Sequence, residues 1–251
     1  MKTSKYILIL GLVLIPILTF SQRWKLSRSE YVYGVGVSNY FGDIGGANIT
    51  GASGFADIDI GYTRPSLSFG YRYKLYERVS IKGGLTYARF YGSDVKSYYE
   101  GRNYTFSTNL FELSGQLEYH LTKEKAVISY KSMSLRGKLR KFNAGINLYV
   151  FVGAGGAYFK PKASGDLASS ERFISNKNLG LVVPFGLGFK YPLSINTYVG
   201  FEFGRRFVTS DYIDGFSPEA SESRDVYYFT VINVSYKIKK KRSGRRPEYR
   251  F

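Results

Sequence analysis

The chain holds one histidine, His120, with Glu118 two residues before it, and no cysteine. A base beside a carboxylate is part of a hydrolytic relay. The relay also needs a nucleophile within reach, and no such set converges in the stretches that read as loops. His120 is read as a polar residue at the rim of a strand. Gly153-Ala154-Gly155-Gly156 has the look of a phosphate loop. A phosphate loop lies between a strand and a helix, whereas this run lies inside a strand-like segment, where small residues serve close packing. Asp57 and Asp59 flank an apolar residue and would suit calcium, yet no EF-hand spacing follows. The absence of cysteine excludes a thiolate metal site, a disulfide framework and a lipid-bearing cysteine. One histidine and two methionines leave little material for metal chemistry. The expectation is a chain with no catalytic residues, no metal, no cofactor and no small-molecule substrate.

The elements that carry these residues repeat with period two. Every odd position from Leu179 to Tyr191 is large and apolar, and the even positions are mostly small or charged. A strand turns successive side chains to opposite faces, so this stretch has one greasy face, and it is long enough to cross a bilayer as a tilted strand. Eight such segments are expected, near residues 31–40, 66–75, 79–91, 108–121, 142–159, 179–191, 197–207 and 226–238. The fifth is the least regular, with Tyr149 and Phe151 out of phase with Ile146, Leu148, Val150 and Val152; interior aromatics or a bulge would account for it. Aromatic residues make up 18% of the chain, 24 of them tyrosine. Tyrosine suits a headgroup boundary, where one end is dry and the other wet. A water-soluble sandwich would not need so many outward tyrosines. The expected fold is all-β: an eight-stranded antiparallel transmembrane β-barrel, up-and-down, with both termini periplasmic.

Loop lengths test that fold independently. Only Tyr76-Glu77-Arg78 joins the second and third strands, and Pro192–Asn196 joins the sixth and seventh, while the connections after the first, third, fifth and seventh strands are long. Short periplasmic turns alternating with long outer loops are the habit of outer-membrane barrels. Residues Thr122–Lys141 break the rule as an enlarged connection on the short side. Lys2 and Lys5, the apolar run Ile7–Leu18, and Thr19 and Ser21 read as a secretory signal peptide cut before Gln22. The expected division is a leader at 1–21, a barrel at 22–238 and a basic periplasmic tail at 239–251.

Charge is unevenly spread. The formal net charge is +17, near +15 once Lys2 and Lys5 leave with the leader. The enlarged connection carries Lys123, Lys125, Lys131, Arg136, Lys138, Arg140 and Lys141 against Glu124 alone. The tail carries Lys239, Lys240, Lys241, Arg242, Arg245, Arg246 and Arg250 against Glu248 alone. Two readings stand: a solvated basic rim against anionic headgroups, or a docking surface for an acidic periplasmic partner. A leader and membrane strands exclude nucleic acid as the partner of this basic charge. The inward faces offer Arg72, Lys74, Lys82, Glu112, Gln116, Glu118, Asn147, Lys190, Glu202 and Arg206. An eight-stranded barrel is just wide enough for side chains to fill it, and buried charges must pair, so a salt-bridged plug is expected rather than a solute channel.

The run Ser38-Asn39-Tyr40-Phe41-Gly42-Asp43-Ile44-Gly45-Gly46 leaves the first strand directly. It resembles the NYxGDxGG stretch at the same place in PorG-type proteins of the type IX secretion system of Bacteroidota. The leader, the eight-strand spacing and the aromatic second strand Phe69-Gly70-Tyr71-Arg72-Tyr73 are also similar to that family. The resemblance implies a non-enzymatic component of a protein secretion machine, tying a periplasmic ring of PorK and PorN type to the outer membrane. The residues' own chemistry is narrower: Gly42, Gly45 and Gly46 permit a tight reversal, and Asp43 accepts hydrogen bonds from nearby amides within it. Arg136, Lys138, Arg140, Lys141, Lys239, Lys240, Lys241, Arg242, Arg245 and Arg246 are the expected contacts to the periplasmic partner. The alternative is a surface barrel whose outer loops bind an external ligand or another cell, and an envelope-lipid enzyme is a weaker one.

Overall fold

A computed structural model describes residues 27–41, 44, 60–94, 101, 103–124, 126–130, 140–176, 178–194, 196–216 and 225–238; for 126–130 and 140–144 it describes the backbone alone. Among these residues there are ten strands: β1 (Ser29–Phe41), β2 (Arg64–Lys74), β3 (Val79–Ser93), β4 (Tyr104–His120), β5 (Ala126–Tyr130), β6 (Arg140–Ala144), β7 (Asn147–Gly165), β8 (Leu179–Pro192), β9 (Thr197–Val208) and β10 (Val226–Ile238). Eight of them close into a barrel in the order β1-β10-β9-β8-β7-β4-β3-β2, and β5 and β6 form a separate two-stranded sheet. Every pairing is antiparallel between chain neighbours, apart from the closing seam of β1 on β10 and the β4–β7 pair, which passes over β5 and β6. This is the up-and-down barrel that the period-two pattern leads one to expect.

The alternation decides which face each side chain takes. Tyr33, Val35, Leu67, Leu85, Leu113, Val152, Leu181, Leu187 and Ile232 stand outward and exposed. Such a surface is stable in hydrocarbon and costly in water. One end of the barrel carries the short turn at 75–78, the turn at 193–196 and the β5–β6 hairpin; it is called the turn end here. The other, the loop end, carries the connections after β1, β3, β7 and β9. The turns close by their own hydrogen bonds. Leu75 N–H donates to Val79 O at 2.9 Å, and the Ser194 hydroxyl accepts from Thr197 N–H at 3.1 Å.

One expectation changes, and of two explanations for the irregular fifth segment the structure selects interior aromatics. The fifth predicted segment, from Phe142, is two elements. Residues 140–144 pair with 126–130, with Ile128 opposite Phe142. The barrel strand starts at Asn147 and runs to Gly165. The out-of-phase Tyr149 and Phe151 are inward residues, both buried, and the register against β8 has no bulge: Val152 faces Phe185 and Gly155 faces Val182. The ladder is interrupted only opposite Val183 and Pro184, and Pro184 has no N–H to give. Space for the two rings comes from glycine. A Cβ on Gly186 would stand 2.7 Å from the Phe151 ring, and one on Gly188 2.6 Å from the Tyr149 ring. The small face of 179–191 thus exists to admit large residues from β7.

Candidate functional site

The lumen is filled in two tiers. Near the loop end it is apolar. Phe90, Phe106, Leu110, Phe159, Val182, Val208, Tyr227 and Phe229 pack together, and Ile44, Leu167, Ile213 and Phe216 come in from the connections. Phe90 lies 5.1 Å from Tyr227 and 6.3 Å from Phe229, ring to ring. Thr108 donates to Ile213 O at 2.6 Å and Phe173 bridges Phe216, so the connections are tied over the mouth. A salt-bridged plug was expected. Its loop-end half is instead a small hydrophobic core, because the inward positions of β3, β4, β7 and β10 turn aromatic toward that end.

The turn-end half is ionic. Arg72 is the hub: its guanidinium meets Glu118 at 2.6 Å, Glu30 at 3.1 Å and Glu202 at 3.3 Å, with arginine and partners almost wholly buried. Lys82 pairs with Glu202 at 2.6 Å, and the Tyr149 hydroxyl donates to Glu202 at 2.7 Å. Glu112 and Arg206 mark the border with the apolar tier. Their charged atoms are 3.7 Å apart, Tyr227 donates to Glu112 at 2.7 Å, and Arg206 lies 4.5 Å over the Phe229 ring. Lys74, Gln116, Asn147 and Lys190 are buried in the same lumen. Among the described residues, the inward side chains of both tiers are buried against one another, as the width of an eight-stranded barrel allows.

A second focus was not foreseen. Glu124, in the connection after β4, turns into the barrel mouth and meets Lys74 at 2.6 Å, Lys190 at 3.7 Å and Lys237. Lys190 and Lys237 also reach Glu30 at 3.1 and 3.6 Å. Burial alone would raise the Glu124 carboxyl, but Lys190, Lys237 and Lys74 outweigh it and hold the group well below the usual carboxylate range. Thr122 fixes the same leg of the connection. Its carbonyl accepts from Asn147 Nδ2, and its hydroxyl accepts from Leu148 N–H at 2.8 Å. The signal in the sequence was slight: a lone acid in a basic run, four residues past the end of β4. At the loop end Asp225 accepts from Tyr40 at 2.5 Å and from Ile213 N–H at 2.9 Å. Burial and the neighbouring Asp214 push Asp225 well above the usual range against those bonds.

His120 is the last residue of β4, as expected, but it is not exposed at the rim. It is buried, with Nε2 3.0 Å from Ser80 Oγ and Nδ1 2.5 Å from Asn147 Oδ1. Serine, histidine and an orienting amide in a row have the order of a nucleophilic relay. Here all three side chains are buried at the turn end of the lumen. Gly153 and Gly155 lie inside β7; a Cβ on Gly153 would stand 2.2 Å from Gly115 O. Among the described residues no three histidine, aspartate or glutamate side chains gather as a metal site. Arg140 and Lys141 lie in β6, opposite Tyr130 and Ser129. The leader, Gly42, Asp43, Gly45, Gly46, Asp57, Asp59, Arg136, Lys138 and the tail from Lys239 to Arg246 lie outside the described residues.

Several solved structures are similar in outline. The attachment invasion locus protein Ail of Yersinia pestis, in complex with the heparin analogue sucrose octasulfate, is 12% identical, with 84% of this chain and 99% of that one covered and a TM-score of 0.44. Neisserial surface protein A is 7% identical over 84% of this chain and 97% of that one, TM-score 0.46. OprG of Pseudomonas aeruginosa is 12% identical over 85% and 98%, TM-score 0.42. No protein among the curated sequences compared matches. One family's sequence model does match, over residues 9–239. That span takes in every strand of the barrel, and the chain belongs to this family, described as Domain of unknown function (DUF6089).

Proposed function

We propose that the protein is a non-enzymatic anchor of the outer membrane, with its turn end and both termini in the periplasm, where it holds an acidic protein partner. The apolar exterior supports residence in a bilayer, and the filled lumen argues against solute transport. The observation that carries the docking role is the position of Glu124. Residues 122–141 hold seven lysines and arginines and one carboxylate. That carboxylate is drawn into the lumen and neutralised by Lys74, Lys190 and Lys237. The connection therefore meets the periplasm without its own counter-charge, and complementary charge steers association. Its two ends are pinned to the barrel, so force on the hairpin is passed to the membrane. Together with the resemblance to PorG-type proteins, this favours a secretion machine of type IX, with a ring of PorK and PorN type as partner.

The test is co-purification from detergent-solubilised membranes. Neutralising Arg136, Lys138, Arg140 and Lys141, and separately Lys239 to Arg246, is expected to strip a periplasmic protein from the barrel. A complex that survives both changes refutes the docking role. Loss of function on shortening the loop-end connections, with the turn end intact, would favour the surface-receptor reading instead.

A further inference from the structure

The exterior near the loop end carries cations that no carboxylate among the described residues neutralises. On β3, β4 and β7 the outward residues form rows across the sheet. Tyr87, Phe111 and Tyr158 are register neighbours, Arg89, Asn109 and Lys160 are the next row, and Tyr91, Ser107 and Lys162 the row beyond. Leu85 and Leu113 lie one step toward the barrel's middle. Passing toward the loop end, the surface changes from aliphatic to aromatic to cationic. Aromatic girdles of membrane barrels sit at the boundary between acyl chains and headgroups. Rows two residues apart are separated by about 7 Å, which places Arg89, Lys160 and Lys162 at headgroup depth. Strands are about 4.8 Å apart, so β3 and β7 stand roughly 10 Å from each other across β4.

Every cation of the lumen's ionic tier is paired, and at the turn end Lys123 meets Glu77 at 3.2 Å. No carboxylate among the described residues pairs with Arg89, Lys160 or Lys162. Arg89 Nε instead donates to Ser107 Oγ at 3.2 Å, which lays the guanidinium over β4 toward the lysines. Tyr87 donates to Asn109 Oδ1 at 3.3 Å, turning the amide nitrogen of Asn109 to the same surface as a neutral donor. Three charges and two polar groups thus converge on one patch, above aromatic rings. An arginine fork and two lysines match the oxygens of a phosphate group.

We infer that this patch binds the phosphate headgroup of a lipid in the leaflet at the loop end, with the lipid's acyl chains lying along Tyr87, Phe111, Tyr158 and the leucines below. A lipid uses both halves of the surface, whereas a free phosphate would leave the aromatic row without a role. The site lies on the opposite end from the proposed protein docking face. It shares with that reading only the orientation of the barrel, so either can fail without the other.

The test is native mass spectrometry of the full-length protein from a neutral detergent, with diphosphorylated lipid A, dephosphorylated lipid A or inorganic phosphate added. The wild type is expected to retain diphosphorylated lipid A one to one and to lose it as salt rises. Each of Arg89→Gln, Lys160→Gln and Lys162→Gln is expected to weaken retention roughly fivefold, and the triple variant about a hundredfold. Lys123→Gln, at the other end, should leave retention unchanged. Equal retention by the triple variant overturns the inference. So does equal retention of the dephosphorylated lipid, which would assign binding to the rings alone. Displacement by millimolar inorganic phosphate would overturn the lipid as the source. Should the triple variant fail to fold, the three single variants decide the matter by the same readout.

Discussion

Arg72 is the place to test whether the ionic tier holds the barrel together. Arg72→Met keeps most of the side-chain volume and deletes the charge. Glu118 then loses its 2.6 Å partner and keeps Lys82 at 4.0 Å and the His120 ring at 3.8 Å, while Glu30 and Glu202 each lose one of their cations. Removing one member of a buried ion pair typically costs about 3–5 kcal/mol, because the abandoned charge stays desolvated. For a urea dependence of about 2 kcal/mol per molar, the unfolding midpoint falls by about 1.5–2.5 M. The assay is urea unfolding in lipid vesicles, followed by the circular dichroism of the sheet. Arg72→Met combined with Glu118→Gln removes both the hub and the carboxylate left worst off. It should recover at least half of the loss, since neighbouring sites in one network do not add. A single variant within about 0.3 M of the wild type, or a double variant that falls further than the single, refutes the reasoning.

Gly186→Ala should destabilise the barrel by about 1–3 kcal/mol, since its Cβ would meet Phe203 O at 2.2 Å, while Gly156→Ala, with nothing within 4 Å, should be near neutral; paired unfolding midpoints decide this, and equal effects would count against it. The folded pKa of Glu124 is depressed, so its stabilisation is present above the unfolded value of about 4.3 and is lost only as pH falls toward the lower folded value. The stability gap between wild type and Glu124→Gln should therefore hold constant from pH 7 to about 5 and close below about 4; a gap that closes near neutrality would show that the lysines do not hold the charge. Ser80 should not react with a fluorophosphonate probe in the folded protein, because it and His120 are buried; a labelled Ser80 peptide would favour the enzyme reading.

The architecture was legible because lipid outside and packing inside impose opposite demands on alternate residues. The segments at 197–207 and 226–238 needed almost no correction. The hairpin inside the β4–β7 connection was not legible, since Phe142–Ala144 and Asn147 onward merge into one apolar run unless the turn between them is known. The inward parity of Arg72, Lys82 and Glu202 could be read, but not that Arg72 would meet Glu202 from the far side of the lumen. Such contacts depend on the stagger of strands around the closed ring, which no local pattern encodes. Glu30 and Lys237 escaped notice because each lies at a strand's end, where alternation runs out. The apolar tier hid for a related reason: Phe90, Phe106 and Phe229 look like further lipid-facing aromatics until their parity is traced from one end of the strand to the other.

The seam between β1 and β10 runs from Ser29 opposite Ile238 to Phe41 opposite Val226. The first strand to be made finds its second neighbour only when the last one has been delivered. Until then the sheet has two bare borders, each a template for unwanted pairing, and the loop to be closed is almost the whole polypeptide, which makes this step slow. Assembly cannot proceed piece by piece as the chain emerges. An unfinished ribbon therefore needs shielding until both borders can meet at once. Removing β10 should yield a substrate for chaperones and proteases rather than a smaller barrel.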